Sequence, residues 1–138
     1  MAGQSGQGST VAFTTAGAVG CARSMTLPNW SMETIDASCL EDVGFMKKVG
    51  ADLVDGGEVE IVVLFEIDDE PFTPSGDIDT ITITIPSKTG GTDATLSGTG
   101  FISSTQLPSL ASSELMEQTI TFVFDGQTGP TWTAGTNV

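Results

Sequence analysis

The chain has 138 residues, with 18 Asp and Glu against 4 Lys and Arg, no His, and a formal charge of -14. So few cations cannot form a basic surface, which excludes tight binding to nucleic acid or to anionic membranes. The absence of histidine excludes Ser-His and Cys-His nucleophile pairs and most zinc sites. We therefore expect no enzyme, no cofactor and no metal site.

Residues 1–9 are rich in Gly and Gln and lack both the basic and the apolar segment of a secretory signal, so they predict a flexible arm. The longest unbroken aliphatic or aromatic run, Ile61 to Phe65, is far shorter than the roughly 18 residues of a membrane span. We expect a soluble, non-secreted product with one domain over residues 10–125 and a second flexible arm over residues 126–138. In such a product Cys21 and Cys39 are predicted to remain thiols.

Strands are predicted wherever Thr, Ser or Glu alternate with apolar residues. Three short strands open the domain, at residues 10–14, 22–27 and 32–37. Residues 36–57 neither alternate strictly nor have a helical pattern, and predict a long loop. The clearest strand follows, with Val59 and Ile61 on one face and Glu58 and Glu60 on the other.

The second half of the chain continues this pattern after an acidic, Pro-containing turn at residues 68–77. Alternation predicts further strands at residues 80–85, 95–103 and 119–124. In the middle strand, Gly98 and Gly100 indicate a bend or the close approach of another backbone. Residues 108–116 are predicted to hold at most one helical turn. About seven strands predict an all-β domain, either a sandwich or a barrel.

Two groups of carboxylates are candidates for a function. Five carboxylates fall in or beside the acidic turn and are close enough in sequence to bind calcium. Their order does not match that of an EF-hand loop, so a solvated loop is the simpler interpretation. These five are Asp68, Asp69, Glu70, Asp77 and Asp79. The second group, Glu58, Glu60 and Glu66, lies on one strand face, where like charges repel unless that face is in contact with water. An ordinary exposed face of a salt-adapted protein is the alternative interpretation.

Two stretches, residues 27–38 (LPNWSMETIDAS) and 51–60 (ADLVDGGEVE), resemble the major tail proteins, or tail tube proteins, of long, non-contractile-tailed bacteriophages. The later strands, which end at Ile85-Pro86 and Asp125-Gly126, and the Leu107-Pro108 turn are similar to that family's remaining elements in the same order. The resemblance covers residues 8–133. Its most specific element is Asp-Gly-Gly-Glu followed by an alternating strand.

The resemblance implies a sandwich of two antiparallel sheets with at most one short helix. Such subunits form hexameric rings that stack into a tube, and each gives four strands to a closed inner barrel through which DNA passes without adhering. It also implies contacts with tape-measure, tail terminator and baseplate proteins, and a place in the virion tail after assembly in the host cytoplasm. A capsid decoration or head-fibre protein remains the alternative, with a calcium- or sugar-binding β-sandwich less favoured.

On this resemblance, two sets of residues have structural roles. The candidates for lining the lumen are Glu58, Glu60, Glu66, Thr80, Thr82, Thr84, Thr119 and Thr121. The long loop at residues 36–57 is implied to reach neighbouring subunits and the next ring, where its lysines would meet acidic residues. Its candidate contacts are Leu40, Phe45, Met46, Lys47, Lys48 and Val49.

Overall fold

The computed structural model describes residues 4–15, 17–18, 22–41, 43–67 and 71–136. Within these ranges the regular structure is entirely β, which confirms the predicted all-β class, and no helix there is long and apolar enough to span a membrane. The strands are β1 (Thr10–Phe13), β2 (Gly17–Ala18), β3 (Ala22–Thr26), β4 (Ser31–Asp36), β5 (Lys48–Asp55), β6 (Glu58–Leu64), β7 (Asp79–Ile85), β8 (Ala94–Gln106), β9 (Glu117–Phe124) and β10 (Thr131–Thr133).

Eight strands form one antiparallel sheet in the order β2-β1-β7-β8-β9-β6-β3, with β10 paired to β8, while β4 and β5 pair separately. Strand β8 is shared between two parts of this sheet, because residues 94–100 pair with β7 and residues 100–106 pair with β9. A register shift between Ile102 and Ser104 bends the strand. We call β2, β1, β7, β10 and residues 94–100 of β8 the first half-sheet, and residues 100–106 of β8 with β9, β6 and β3 the second half-sheet.

The two half-sheets face each other across a common core. The rings of Phe13 in β1 and Phe122 in β9 are 5.5 Å apart between centroids. In a flat sheet these two strands, three positions apart, would be separated by about 14 Å. The sheet therefore folds over at β8 into a sandwich. The buried apolar residues between its layers are Val11, Phe13, Val59, Ile61, Val63, Ile81, Ile83, Leu96, Ile120, Phe122 and Phe124.

Gly98 and Gly100 allow the sandwich to close tightly at β8. A Cβ atom on Gly100 would overlap the carbonyl oxygen of Val123, and one on Gly98 would lie 2.9 Å from the ring of Phe124. The predicted close approach of another backbone at these glycines is confirmed.

The predicted loop at residues 36–57 is wrong over residues 48–55, because these form β5 and pair with β4. A register shift between Met32 and Thr34 breaks the alternation of apolar residues that identifies a strand in a sequence. Residues 108–116 contain turns and no helix.

The C-terminal arm is also more regular than predicted. β10 pairs with residues 95–97 of β8, and the amide of Thr136 donates to the carbonyl of Thr92 over 2.9 Å. β9 pairs only with the second part of β8, so β10 covers an edge of the first part that would otherwise be open. At the other terminus, the Gln4 side-chain amide donates to the carbonyl of Pro86 over 2.8 Å, so residues 4–9 lie against the β7–β8 connection.

Candidate functional surfaces

The outward side of the second half-sheet is an acidic face. Glu58 and Glu60 are exposed on β6, whose intervening residues are buried. Across the strands, Glu60 lies opposite Thr121 of β9, and Glu117 of β9 lies opposite Leu64 of β6. Among the outward register positions of β3, β6, β9 and residues 101–106 of β8, only these three glutamates are charged. The paired outward positions therefore carry only negative charge, and the one cation of these strands, Arg23, is exposed at the bulge of β3 between Ala22 and Ser24.

Four predicted lumen residues, Glu58, Glu60, Thr119 and Thr121, share the acidic face. Glu66 is exposed just beyond the end of β6. Sequence reasoning missed Glu117, although it alternates in phase with Thr119 and Thr121 and was detectable from that pattern.

The remaining predicted lumen residues, Thr80, Thr82 and Thr84, lie on the outward side of β7, in the first half-sheet. Thr84 lies between Thr10 of β1 and Thr95 of β8, and the neighbouring outward positions are also hydroxyls or alanine. We call this surface the hydroxyl face; its outward positions are Thr10, Ala12, Thr80, Thr82, Thr84, Thr95, Ser97, Thr99, Thr131 and Thr133. Because the half-sheets face each other across the core, the hydroxyl face and the acidic face point in opposite directions. The eight predicted lumen residues therefore do not form one surface.

β4 and β5 form a hairpin that pairs with no other strand in the described part of the chain. Residues 27–30 and 56–57 connect it to β3 and β6. Its register places Met32 opposite Val54 on one face and Ile35 opposite Val49 on the other, and all four side chains are about half exposed. The hairpin is thus apolar on both faces without a layer of the sandwich covering either.

The hairpin tip, residues 37–47 with residue 42 outside the described ranges, contains the most exposed apolar side chains described on the hairpin. Phe45 and Val43 are each 96% exposed, and Leu40 is fully exposed. The tip is closed by the amide of Lys47, which donates to Ser38 Oγ over 2.7 Å. The structure brings the six predicted contact residues together on this hairpin: Leu40, Phe45, Met46 and Lys47 in the tip, Lys48 and Val49 at the start of β5.

One carboxylate at the base of the tip has a perturbed pKa. The amide of Ser38 donates to Asp36 Oδ1 over 2.9 Å. This backbone hydrogen bond, together with one from the Ser38 side chain, lowers the pKa of Asp36 below its ordinary value of 3.8.

A second exposed apolar surface lies where β6 ends and β9 begins. Residues 107–116 cross this end of the second half-sheet and are held by a 2.9 Å hydrogen bond from the amide of Phe65 to the carbonyl of Met116. They enclose a cavity of about 430 Å³, which we call the β8–β9 cleft; its lining is Leu64, Phe65, Glu66, Leu110, Ala111, Glu114, Leu115 and Met116. Leu110 is 83% exposed. Sequence reasoning missed this cleft because it interpreted the segment as a helical turn.

The acidic turn offers no metal centre within the described ranges, where no group of three or more His, Cys, Asp or Glu side chains is placed to hold an ion. Three of the five candidate calcium ligands, Asp68, Asp69 and Glu70, lie outside those ranges. Cys21 also lies outside them, and Cys39 is exposed in the hairpin tip.

No protein-family model matches this chain, and a search of curated proteins finds no similar sequence.

Proposed function

We propose that this chain is a tail tube protein. In this role it is a structural subunit that polymerises as stacked hexameric rings into the hollow tail of a long, non-contractile-tailed bacteriophage. The tube is then an acidic conduit for genome ejection, and its ends meet the tape-measure, tail terminator and baseplate proteins. The resemblance of residues 8–133 to that family suggests this role, and the surfaces of the subunit support it.

The hairpin is the observation that carries the proposal. An isolated two-stranded hairpin is marginally stable in water, and monomeric proteins rarely expose large contiguous apolar patches. This hairpin has exposed apolar residues on both faces and at its tip. A surface of this kind is expected where a subunit is completed by its neighbours.

The charge of the tip also favours contact between copies. In the tip, Glu41 and Asp42 are partly offset by Lys47, and Lys48 follows at the start of β5, so the segment from residue 37 to 49 has no net formal charge, in a chain with a charge of -14. Copies with so large a charge repel one another over most of their surfaces. A neutral, apolar segment is where the cost of approach is lowest.

The second half-sheet has the open edges that a ring requires. β3 pairs only with β6 among the described strands. Residues 101–106 of β8 pair only with β9, although the amide of Ser75 donates to the carbonyl of Ile102 over 3.1 Å, so the edge left open is residues 103–106. Open edges are templates for further strand pairing. Pairing β3 of one copy with β8 of the next would continue the sheet around a ring, with four strands from each subunit.

The acidic face supports the assignment of this half-sheet to the lumen. Glu58, Glu60 and Glu117 would repel a phosphate backbone, so DNA would pass without adhering. Thr119 and Thr121 add neutral hydroxyls beside them. On this proposal the hydroxyl face lies on the opposite, outer side of the subunit. Thr80, Thr82 and Thr84 are then removed from the residues predicted to line the lumen.

Negative-stain electron microscopy of the purified protein tests the proposal directly. We expect rings or tubes with a central hole. The control is a chain with Phe45→Ser and Met46→Ser, which should remain folded by circular dichroism but form no tubes, because it loses apolar contacts of the tip. Trimers, or monomers that bind to phage heads, would contradict the proposal in favour of a capsid decoration protein.

A further inference from the structure

The hairpin and the β8–β9 cleft lie at opposite ends of the second half-sheet. β6 begins at Glu58, directly after the hairpin, and ends at Leu64, which lines the cleft. Seven residues of strand span about 23 Å. We propose that the β8–β9 cleft receives the hairpin tip of a second copy of this chain, so that each copy binds the next head to tail. This inference rests on the proposed function and names the surface that stacking uses.

The two surfaces match in apolar character. On the tip, Leu40 and Phe45 project with nearly all of their side-chain surface exposed, and Val49 follows at the start of β5. In the cleft, Leu110 and Leu115 are largely exposed above a cavity of about 430 Å³. Docking the tip in the cleft would remove both sets of apolar side chains from water at once.

The two surfaces also match in charge. Two of the four cations in the chain, Lys47 and Lys48, stand together where the tip meets β5. Two carboxylates, Glu66 and Glu114, line the cleft. Opposite charges of this kind fix the register of a contact and suppress wrong partners. The acidic face would also attract Lys47 and Lys48. It has no cleft, however, in which the apolar side chains of the tip could be buried.

The placement of the two surfaces explains why the contact would repeat. A head-to-tail contact uses different surfaces on the two partners, so it repeats from copy to copy, and it gives an open column where the rotation between copies does not close a ring. β5 alone, with eight residues, gives the hairpin a reach of about 26 Å beyond its base. A column of subunits, each with its tip in the next copy's cleft, follows from these two features.

A charge exchange tests the contact. Lys48→Glu and Glu114→Lys should each reduce the assembled fraction by about tenfold or more, because each places like charges together. The chain with both substitutions should recover most of the loss, since the pair is restored with its signs reversed. Asp77→Lys is the matched control, with the same change of charge on an exposed loop outside the cleft, and should assemble like the unmodified protein.

Disulfide trapping tests proximity independently of charge. In a background of Cys21→Ser and Cys39→Ser, a chain with Val43→Cys and Ala111→Cys should form a ladder of covalent oligomers under mild oxidation. Chains with either new cysteine alone should form no ladder, and a mixture of the two single variants should form a covalent dimer. Circular dichroism of each variant checks that it is folded.

The outcomes separate this inference from the proposed function. Recovery in the exchanged variant, together with the ladder, supports docking of the tip in the cleft. Tubes that form without a ladder, and at normal yield with Glu114→Lys, overturn the cleft as the receptor and leave the tail tube proposal standing. If the unmodified protein forms no tubes, the proposed function fails; a ladder from soluble oligomers would then still support the contact, and its absence would overturn it.

Discussion

β5 and β6 are consecutive strands joined by two glycines, yet their apolar residues have opposite environments. In β6, Val59 and Ile61 are 0% exposed, whereas in β5 Leu53 is 84% exposed and Val54 is 56% exposed. In β6 every second residue is buried against a second layer, although Val62 and Leu64 are apolar on the outward side, while the hairpin has apolar residues on both faces and no layer against either. Apolar content alone therefore does not make a core. The sandwich thus has a core within one chain, whereas the hairpin has none, and the proposed function assigns its exposed apolar residues to contacts with other copies.

The largest loss of stability should come from truncating a buried side chain in the core of the sandwich. Phe122 is 0% exposed and contacts the rings of Phe13 and Phe124, so Phe122→Ala should reduce the free energy of unfolding by about 3–5 kcal/mol. Leu53→Ala is the matched truncation on the hairpin and should change the free energy of unfolding by less than about 0.5 kcal/mol. Urea unfolding of the unassembled protein measures both. A similar cost for both variants would show that the hairpin belongs to the core of the monomer, and the comparison would fail.

A smaller effect is expected where the sandwich closes at β8. Gly100→Ala places a methyl group against the backbone of Val123, which should cost about 1–3 kcal/mol of unfolding free energy. Gly76→Ala is the control, because a Cβ atom there meets no heavy atom within 4 Å. The same urea experiment compares the two. An unchanged stability of Gly100→Ala would mean that the half-sheets are not tightly apposed at this strand.

The strands and part of the acidic face could be predicted from the sequence because alternation is a local signal. A period of two places Glu58 and Glu60 on the side opposite Val59 and Ile61, whatever the strand pairs with. The same rule places Thr119 and Thr121 outward. Their meeting on one face then requires only that β6 and β9 be neighbours.

What the sequence could not predict depends on pairing between distant segments. Thr80, Thr82 and Thr84 alternate as clearly as Thr119 and Thr121, but β8 changes partners along its length and places them on the opposite side of the sandwich. β5 was not predicted for a similar reason, because its pairing with β4 shifts register and the local sequence pattern does not show that pairing. The β8–β9 cleft has no periodic signal, since irregular connections form one wall of it.

The smallest effect concerns hydrogen bonds inside the hairpin itself. Asp36 accepts hydrogen bonds from Ser38, which lower its pKa below 3.8. The stabilisation of the tip by these hydrogen bonds is therefore complete above pH 3.8, the ordinary pKa, and is lost as the pH falls through the lower pKa of the folded state. Asp36→Asn should therefore loosen the tip at neutral pH and make little difference in stronger acid. NMR titration of the Ser38 amide measures this, with Asp52→Asn as the control, because no hydrogen bond to that carboxylate is found among the described residues. The amides of β6 should not respond. If they follow Asp36, the hairpin and the sandwich unfold as one unit, and the division between them is wrong.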